Sequence, residues 1–155
     1  MKLQTNTLFK TALNRAQYLL AMREHGAKEL KIKLLQKIPE LAETPGLVDE
    51  VIDYCRQQSW QNDARYIESY VRMALEKGQG ALKIRQALLQ ATDDTAQVDA
   101  ALALDEADWL EIARSVLTKK YGDIRQPVDR KEHARRLRFL QSRGFNAAQC
   151  YKAFK

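Results

Sequence analysis

The 155-residue sequence is 45% hydrophobic and 30% charged, which is an ordinary composition for a soluble protein, and the chain is long enough to bury a core. Its longest apolar runs, such as residues 100–104, are about five residues long, whereas a membrane helix needs roughly twenty. The first residues lack the apolar block of a secretory signal. We therefore expect a cytoplasmic protein that does not contact a membrane.

The sequence has only two cysteines, Cys55 and Cys150. This low number fits a reduced compartment, and we predict that both are buried apolar side chains. Cysteine spacing alone leaves a single disulfide open as an alternative.

The net charge of +6 is divided unevenly along the chain. Residues 1–39 carry a net charge of +6, residues 40–113 carry −9 and residues 114–155 carry +9. A uniformly basic chain would indicate nonspecific binding to nucleic acid. This ordering instead favours a partner surface with both signs of charge, or nucleic acid together with a protein.

A short internal repeat indicates how the chain is organised. Residues 24–33 (EHGAKELKIK) and residues 76–85 (EKGQGALKIR) share the pattern Glu-x-Gly-x-x-x-Leu-Lys-Ile-(Lys/Arg), 52 residues apart. Apolar-periodic segments precede and follow Gly26 and Gly78, so each glycine is predicted to end one helix in a left-handed conformation before the next begins. A match at a fixed spacing predicts a repeat protein built of helical hairpins.

The first predicted repeat covers residues 12–60 and follows a flexible lead at residues 1–11. Its second helix ends before Pro39, which lacks the N–H that an interior helix position requires. The apolar positions recur at helical spacing on each of three helices. They are Leu13, Ala16 and Leu20, then Ala27, Leu30, Leu34 and Ile38, then Val48, Val51, Ile52 and Cys55.

The second predicted repeat covers residues 61–106, and the third covers residues 107–155. Asn62 or Asp63 is predicted to cap the first helix of the second repeat. The core positions of that repeat are Ile67, Tyr70, Val71 and Ala74, then Ala81, Ile84, Leu88 and Ala91, then Val98, Ala101 and Leu102. Those of the third are Leu110, Ala113, Leu117 and Tyr121, then Leu137 and Leu140, then Ala147, Cys150, Tyr151 and Phe154.

No segment shows the period-two alternation of a strand, and the six glycines and three prolines are too few for a β-turn-rich fold. We predict an all-α protein in which three tandem three-helix repeats form an elongated, curved, right-handed stack. Trp60 and Trp109 lie near the repeat junctions and are interpreted as packing residues, with binding anchors as the alternative.

The sequence contains no constellation that predicts catalysis or metal binding. Its two histidines, His25 and His133, stand far apart and are interpreted as helix-surface residues. The pair Asp93-Asp94 starts a predicted helix and is interpreted as a cap rather than an acid/base couple. Residues 78–80 (GQG) lack the rest of a phosphate-binding loop. We therefore predict no enzymatic activity, no metal and no cofactor.

Basic residues near the C-terminal end form the predicted partner-binding site. On a helix over residues 128–143, Lys131, Arg135 and Arg138 recur at helical spacing as one stripe. Arg136 and Arg143 form a parallel row, and Phe139 lies between the two rows. The site comprises Arg130, Lys131, Arg135, Arg136, Arg138, Phe139, Arg143, Lys119 and Lys120. This pattern fits single-stranded nucleic acid or an acidic protein groove. It also fits a solvated face with Phe139 packed on the adjacent repeat.

A secondary basic cluster lies in the first repeat and comprises Lys28, Lys31, Lys33 and Lys37. These lysines spread around their helix instead of forming one stripe, so solvated side chains are the favoured interpretation. The acidic middle of the chain either meets basic parts of a partner or keeps the repeats soluble.

Several segments in order along the chain resemble RecX, the bacterial regulator of the RecA recombinase. They are residues 23–37 (REHGAKELKIKLLQK), 62–66 (NDARY), 77–89 (KGQGALKIRQALL), 108–109 (DW) with 119–122 (KKYG), and 139–145 (FLQSRGF). The resemblance extends from about Ala12 to the last residue, and its specificity rests on the order and spacing of these segments together.

The resemblance implies a cytoplasmic negative regulator of homologous recombination, DNA repair and the SOS response. Such a protein is expected to bind RecA nucleoprotein filaments, in the groove across adjacent protomers, and to inhibit filament extension, ATP hydrolysis and strand exchange. It implies no catalytic residues, and we expect a monomer. The alternative is a protein that binds single-stranded DNA directly and competes with RecA for it.

Overall fold

The computed structural model describes residues 2–155, with side chains from residue 5 onward. Within this range the chain forms nine α-helices and one 3-10 helix and contains no strand, which confirms the predicted all-α class. The α-helices are α1 Lys2–Met22, α2 Ala27–Lys37, α3 Leu47–Gln57, α4 Asp63–Glu76, α5 Ala81–Ala91, α6 Thr95–Ala101, α7 Glu106–Tyr121, α8 Arg130–Ser142 and α9 Ala147–Lys152. The 3-10 helix is Pro39–Glu43. None of the described helices is both long and apolar enough to cross a bilayer.

The helices belong to two units. The first runs to Ser69 and includes Leu89–Thr95, and the second comprises Tyr70–Leu88 and Ala96–Lys155. In the first unit, α1, α2 and α3 enclose an apolar core. The predicted core positions of α2 and α3 are all buried there, because the 3.6-residue period places them on one face of each helix.

Helix α1 includes residues that the sequence pattern assigned to a flexible lead. Residues 2–11 of that lead form the first half of α1, while Met1 lies outside the described residues. Leu8 and Phe9 pack against the core, and the Phe9 ring meets Tyr54 edge to face. The apolar face that begins at these two residues continues through Ala12 and Ala16, so burial extends the helix toward its start.

The carboxylate of Asp63 joins three segments of the first unit. Its Oδ1 accepts hydrogen bonds from the backbone N–H of Ala27, at 2.9 Å, and from the side chain of Gln61, at 2.9 Å. Its Oδ2 accepts one from the Thr92 hydroxyl at 2.8 Å. The local cap of α4 is Asn62, whose Oδ1 accepts from Arg65 N at 3.0 Å. Asp63 therefore satisfies a free backbone amide at the start of α2 and contacts the residue that follows α5, although it lies in α4.

The structure corrects the interpretation of His25 as a helix-surface residue. The side chain lies in the link between α1 and α2 and is only 1% exposed. Its Nδ1 lies 3.0 Å from the Arg23 carbonyl and its Nε2 lies 3.0 Å from Lys33 Nζ. The ring therefore donates at Nδ1 and accepts at Nε2, which requires the neutral form. Burial lowers the pKa of His25, and the nearby positive charges of Arg23 and Lys33 act in the same direction.

The first unit is therefore expected to lose stability as pH falls. The pKa of His25 is lower in the folded chain than its ordinary value near 6.5, so its contribution is complete above that value and is lost as pH decreases through it. Urea unfolding between about pH 7.5 and 5 measures this, above the range where carboxylates titrate. His25→Gln should flatten the decline. An unchanged pH dependence in His25→Gln would contradict the assignment.

The two motif glycines differ in their backbone, contrary to the prediction that both are left-handed. Gly78 has φ +76°, but Gly26 has φ −70° and ψ 153°, an ordinary extended conformation. Gly26 is required for space, because a Cβ there would lie 2.2 Å from the carbonyl oxygen of Ala91. Its counterpart is Gly80, where a Cβ would lie 2.4 Å from the carbonyl carbon of Gly144.

The first and second repeats of the structure are therefore offset by 54 residues, two more than the sequence motif indicates. Helices α1 and α4 end 54 residues apart, and α2 and α5 begin and end 54 residues apart. Leu30 and Leu34 are buried, as are Ile84 and Leu88 at this spacing. Leu82, which the motif aligns with Leu30, is 58% exposed. The residue types of the motif match at a spacing of 52 residues, whereas the buried positions match at a spacing of 54 residues.

Gly26→Ala tests the role of close approach. We expect the substitution to lower the free energy of unfolding by about 3 kcal/mol, the upper part of the range for overpacking, because the Ala91 backbone cannot move aside freely. The matched control is Gly46→Ala, where φ is +88° and nothing lies within 4 Å of the added Cβ. Backbone strain alone should cost about 1 kcal/mol there. Equal losses in urea unfolding would contradict the steric explanation.

In the second unit, α7, α8 and α9 pack against one another. Trp109, Leu117, Leu140 and Phe145 are buried there. The predicted inward face of α9 is partly wrong, because Ala147 is exposed and Tyr151 is 63% exposed. Helix α9 has only six residues and ends at Lys152, so Phe154 reaches the core from beyond the helix. The predicted spacing from Ala147 to Phe154 covers eight residues, so it requires a longer helix than α9.

The predicted burial of both cysteines is confirmed. Cys55 is in the core of the first unit and Cys150 is in the second, and both are free thiols. Burial raises the pKa of Cys55 to about 11 and also raises the pKa of Cys150. The disulfide alternative is therefore excluded.

Candidate partner-binding surface

Helix α8 carries most of the predicted site, and its start is fixed locally. Asp129 accepts a hydrogen bond from Lys131 N at 3.1 Å, and Leu140 on the opposite side of the helix is buried. Because side chains repeat every 3.6 residues, burial of Leu140 turns the stripe of Lys131, Arg135 and Arg138 toward solvent. All three are exposed, as is Arg130. We call these four residues the outer basic face.

The outer basic face is poorly neutralised by the protein itself. Arg135 lies 3.4 Å from Glu132, but its side chain is 71% exposed, so water and salt screen the pair. Arg130, Lys131 and Arg138 form no ion pair with any side chain in the described part of the chain. The face therefore presents positive charge that an anionic partner can neutralise.

Arg136 was predicted as part of the same site, but it has an internal role. Its Nε lies 3.1 Å from Glu132 Oε1 and its guanidinium lies 4.4 Å from the centre of the Tyr121 ring. A further contact of 4.0 Å joins it to Asp123, and only 19% of the side chain is exposed. These contacts connect α8 to the end of α7. Sequence spacing alone does not show them, because Tyr121 and Asp123 precede the helix by several residues.

The remaining predicted residues, Lys119, Lys120, Phe139 and Arg143, line a separate cleft of about 490 Å³. The cleft lies between the end of α4, one side of α7 and the end of α8. Lys120 Nζ lies 5.3 Å from the centre of the Phe139 ring and the Arg143 guanidinium lies 5.4 Å from it. Phe139 also packs edge to face on Tyr121, at 5.6 Å between ring centres. Phe139 is therefore half-buried and packs on residues of its own repeat.

Arg143 has a structural role in addition to its place in the cleft. Its side chain donates to the Lys77 carbonyl at 3.3 Å, and its own carbonyl accepts from Gly80 N at 2.7 Å. The adjacent Gly144 carbonyl accepts from Leu82 N at 3.0 Å. These bonds satisfy free amides at the start of α5. Substitution of Arg143 would therefore disturb the fold as well as the cleft.

Three of the four residues in the secondary basic cluster contact other parts of the first unit. Lys28 donates to the Leu89 carbonyl at 2.9 Å and lies 3.5 Å from Asp93. Lys31 pairs with Asp49 at 2.9 Å, and Lys33 contacts His25. Lys37 is exposed. The sequence carries no signal for these contacts, because the partners come from distant positions or from the link before the helix.

Among the described side chains, no group of three or more His, Cys, Asp or Glu residues is arranged to hold a metal ion. Asp94 directly precedes α6, and its backbone N–H donates to the Thr92 hydroxyl at 3.1 Å. Asp93 pairs with Lys28.

Comparison with known proteins identifies relatives over almost the whole chain. A family model described as the second three-helix domain of RecX matches residues 62–102, and one for the third three-helix domain matches residues 106–154. The regulatory protein RecX of Vibrio campbellii is 38% identical, with 96% of this chain and 91% of that protein covered. The one from Serratia proteamaculans is 37% identical, with 86% and 89% covered.

Solved structures show the same fold. The crystal structure of RecX from Lactobacillus salivarius superposes with a TM-score of 0.74 at 21% identity, covering 96% of this chain and 95% of that one. A second crystal structure, of a regulatory protein RecX, gives a TM-score of 0.71 at 23% identity, covering 96% and 72%. The tandem three-helix organisation predicted from the sequence is thus confirmed.

Proposed function

Because the chain belongs to the RecX family of regulatory proteins, we propose that it binds RecA nucleoprotein filaments and inhibits their extension, ATPase activity and strand exchange. It thereby acts in the cytoplasm as a negative regulator of homologous recombination and of the SOS response. It binds as a monomer, in the groove across adjacent protomers, and performs no reaction itself.

The outer basic face is the observation that supports this proposal. A nucleoprotein filament contains a DNA backbone with one negative charge per phosphate, and cations that replace its counterions bind it favourably. Arg130, Lys131 and Arg138 are exposed and form no ion pair within the described chain, so binding costs no internal pair. Electrostatic attraction of this kind also accelerates encounter with a large anionic polymer.

Inhibition follows from preferential binding to one state of the filament. A ligand changes an equilibrium only by the difference between its affinities for the two states. Contacts that span adjacent protomers exist only while those protomers keep a fixed relative position. A bound protein therefore stabilises that position and opposes the rearrangements that subunit addition and strand exchange require.

The direct test is RecA's DNA-dependent ATPase activity in the presence of the protein. We expect inhibition at ratios of up to one protein per RecA protomer, because each binding event restrains neighbouring protomers. The rate of ATP hydrolysis at increasing protein concentration measures the effect. No inhibition across this range of ratios would contradict the proposal.

The contribution of the outer basic face is tested by the double charge reversal Arg135→Glu with Arg138→Glu. We expect affinity for the filament to fall by roughly tenfold or more, since two anion contacts are lost and two repulsive charges are added. The control is Lys10→Glu with Lys152→Glu, which changes the net charge equally at exposed positions elsewhere. Equal affinity in the two variants would make the outer basic face only a solvated surface.

Direct competition for single-stranded DNA is the second candidate function. Its support is again the outer basic face, because exposed cations without an internal ion pair also attract the phosphates of bare single strands. In that case affinity for bare DNA would equal affinity for the filament and would fall steeply with salt. A mobility-shift titration at two salt concentrations separates the two functions.

A further inference from the structure

The cleft differs chemically from the outer basic face. Its volume of about 490 Å³ lies within the range of about 300–1,000 Å³ in which proteins bind small ligands and single side chains. Aliphatic side chains from two helices, Leu75 of α4 with Ile112 and Val116 of α7, form an apolar lining. No residue of the outer basic face lines this cleft. A ligand of the cleft therefore needs an apolar part.

The rim of the cleft carries an excess of positive charge. Four cations line it, namely Lys77, Lys119, Lys120 and Arg143, against two carboxylates, Glu76 and Glu111. Lys77 and Lys119 form no ion pair with the described side chains. The complementary ligand is therefore anionic around an apolar centre.

The Phe139 ring favours carboxylates over nucleobases as the anionic part. Lys120 and Arg143 both lie over this ring, and Tyr121 contacts it edge to face. A nucleobase that stacked on Phe139 would have to displace at least one of the two cations and lose its cation–π contact. An acidic side chain requires no such displacement, because it binds the cations where they already lie. The Phe139 ring therefore holds the charged groups of Lys120 and Arg143 in place through cation–π contacts.

We propose that this cleft is the docking site for an acidic peptide segment of a partner protein. An aliphatic or aromatic side chain of the segment packs on Leu75, Ile112 and Val116, and flanking Asp or Glu residues pair with Lys119, Lys120 and Arg143. The inference rests on the proposed function in one respect, namely that the segment belongs to the protein component of the filament. Binding of an acidic peptide to the cleft does not depend on which protein the segment belongs to.

The test uses the full chain and a fluorescein-labelled nine-residue peptide with a central Leu-Phe pair flanked by Asp and Glu. We expect saturable binding, measured by fluorescence anisotropy, with a dissociation constant in roughly the micromolar range. A peptide with Ser-Ser at the centre should bind at least about tenfold more weakly, as apolar contact is lost. A peptide with Lys in place of the acidic residues should not bind.

Variants locate the binding within the cleft. Lys119→Glu with Lys120→Glu should weaken peptide binding by about tenfold or more, and Ile112→Asn should weaken it without a change of charge. The control Lys10→Glu with Lys152→Glu should leave it unchanged. Circular dichroism verifies that each variant is folded, and Lys77→Glu replaces any that is not.

The competing outcome is nucleic acid. If labelled oligo-dT binds the cleft and the same cleft variants abolish this binding while the acidic peptide has no affinity, the inference is overturned in favour of single-stranded DNA. Equal binding of the Leu-Phe and Ser-Ser peptides also overturns it, because the apolar lining would then have no role. The assay contains no RecA and no ATP, so failure of the proposed function and failure of the cleft are distinguishable.

Discussion

The Asp63 carboxylate is the interaction on which the first unit depends most. It accepts hydrogen bonds from the start of α2, from Gln61 and from Thr92, segments separated by up to 65 residues in sequence. A partly buried carboxylate is stabilising only when such partners satisfy it, since an unpaired one would cost more than the bonds contribute. Two features therefore determine where α2 begins. One is the hydrogen bond to Asp63, and the other is the absence of a side chain at Gly26, which lets the Ala91 backbone approach.

The same backbone contact recurs one repeat later. Gly26 lies against Ala91 in the first unit, and Gly80 lies against Gly144 and Phe145 in the second. Each contact places the start of a repeat's second helix against the end of the second helix in the following repeat, or just beyond it. In the second unit, backbone hydrogen bonds from Gly80 and Leu82 to residues 143 and 144 reinforce it. A repeat architecture is thus held together here by backbone approach at glycine as well as by apolar side chains.

The apolar periodicity was sufficient to predict what depends on one helix alone. It placed α2 and α3 and their buried positions correctly, because burial on one face follows directly from the helical period. It did not predict the burial of His25, the close backbone contact at Gly26 or the 54-residue offset between the first two repeats. These depend on partners that lie far away in sequence or on the direction of a neighbouring backbone, and no local pattern encodes either. In α9 the apolar spacing predicted that Tyr151 is buried, but this helix has only six residues and Tyr151 is exposed.

The same distinction applies to the predicted partner site. Helical spacing identified the stripe of Lys131, Arg135 and Arg138, which is exposed. Spacing could not separate these residues from Arg136, which pairs with Glu132 and Tyr121, or from the cleft group around Phe139. Nine residues that form one basic cluster in the sequence therefore comprise an outward face, an internal contact and a cleft. The prediction grouped them because charge is visible in a sequence and the contacts that neutralise it are not.

Burial of the two cysteines simplifies spectroscopic work on this protein. Thiol-directed dyes react with the thiolate, and both native sulfurs are shielded from solvent and hold their protons at neutral pH. A cysteine introduced at an exposed position of α8 would consequently react first, without replacement of Cys55 or Cys150. Energy-transfer distances between such a dye and a labelled filament would then report orientation on an otherwise unaltered chain.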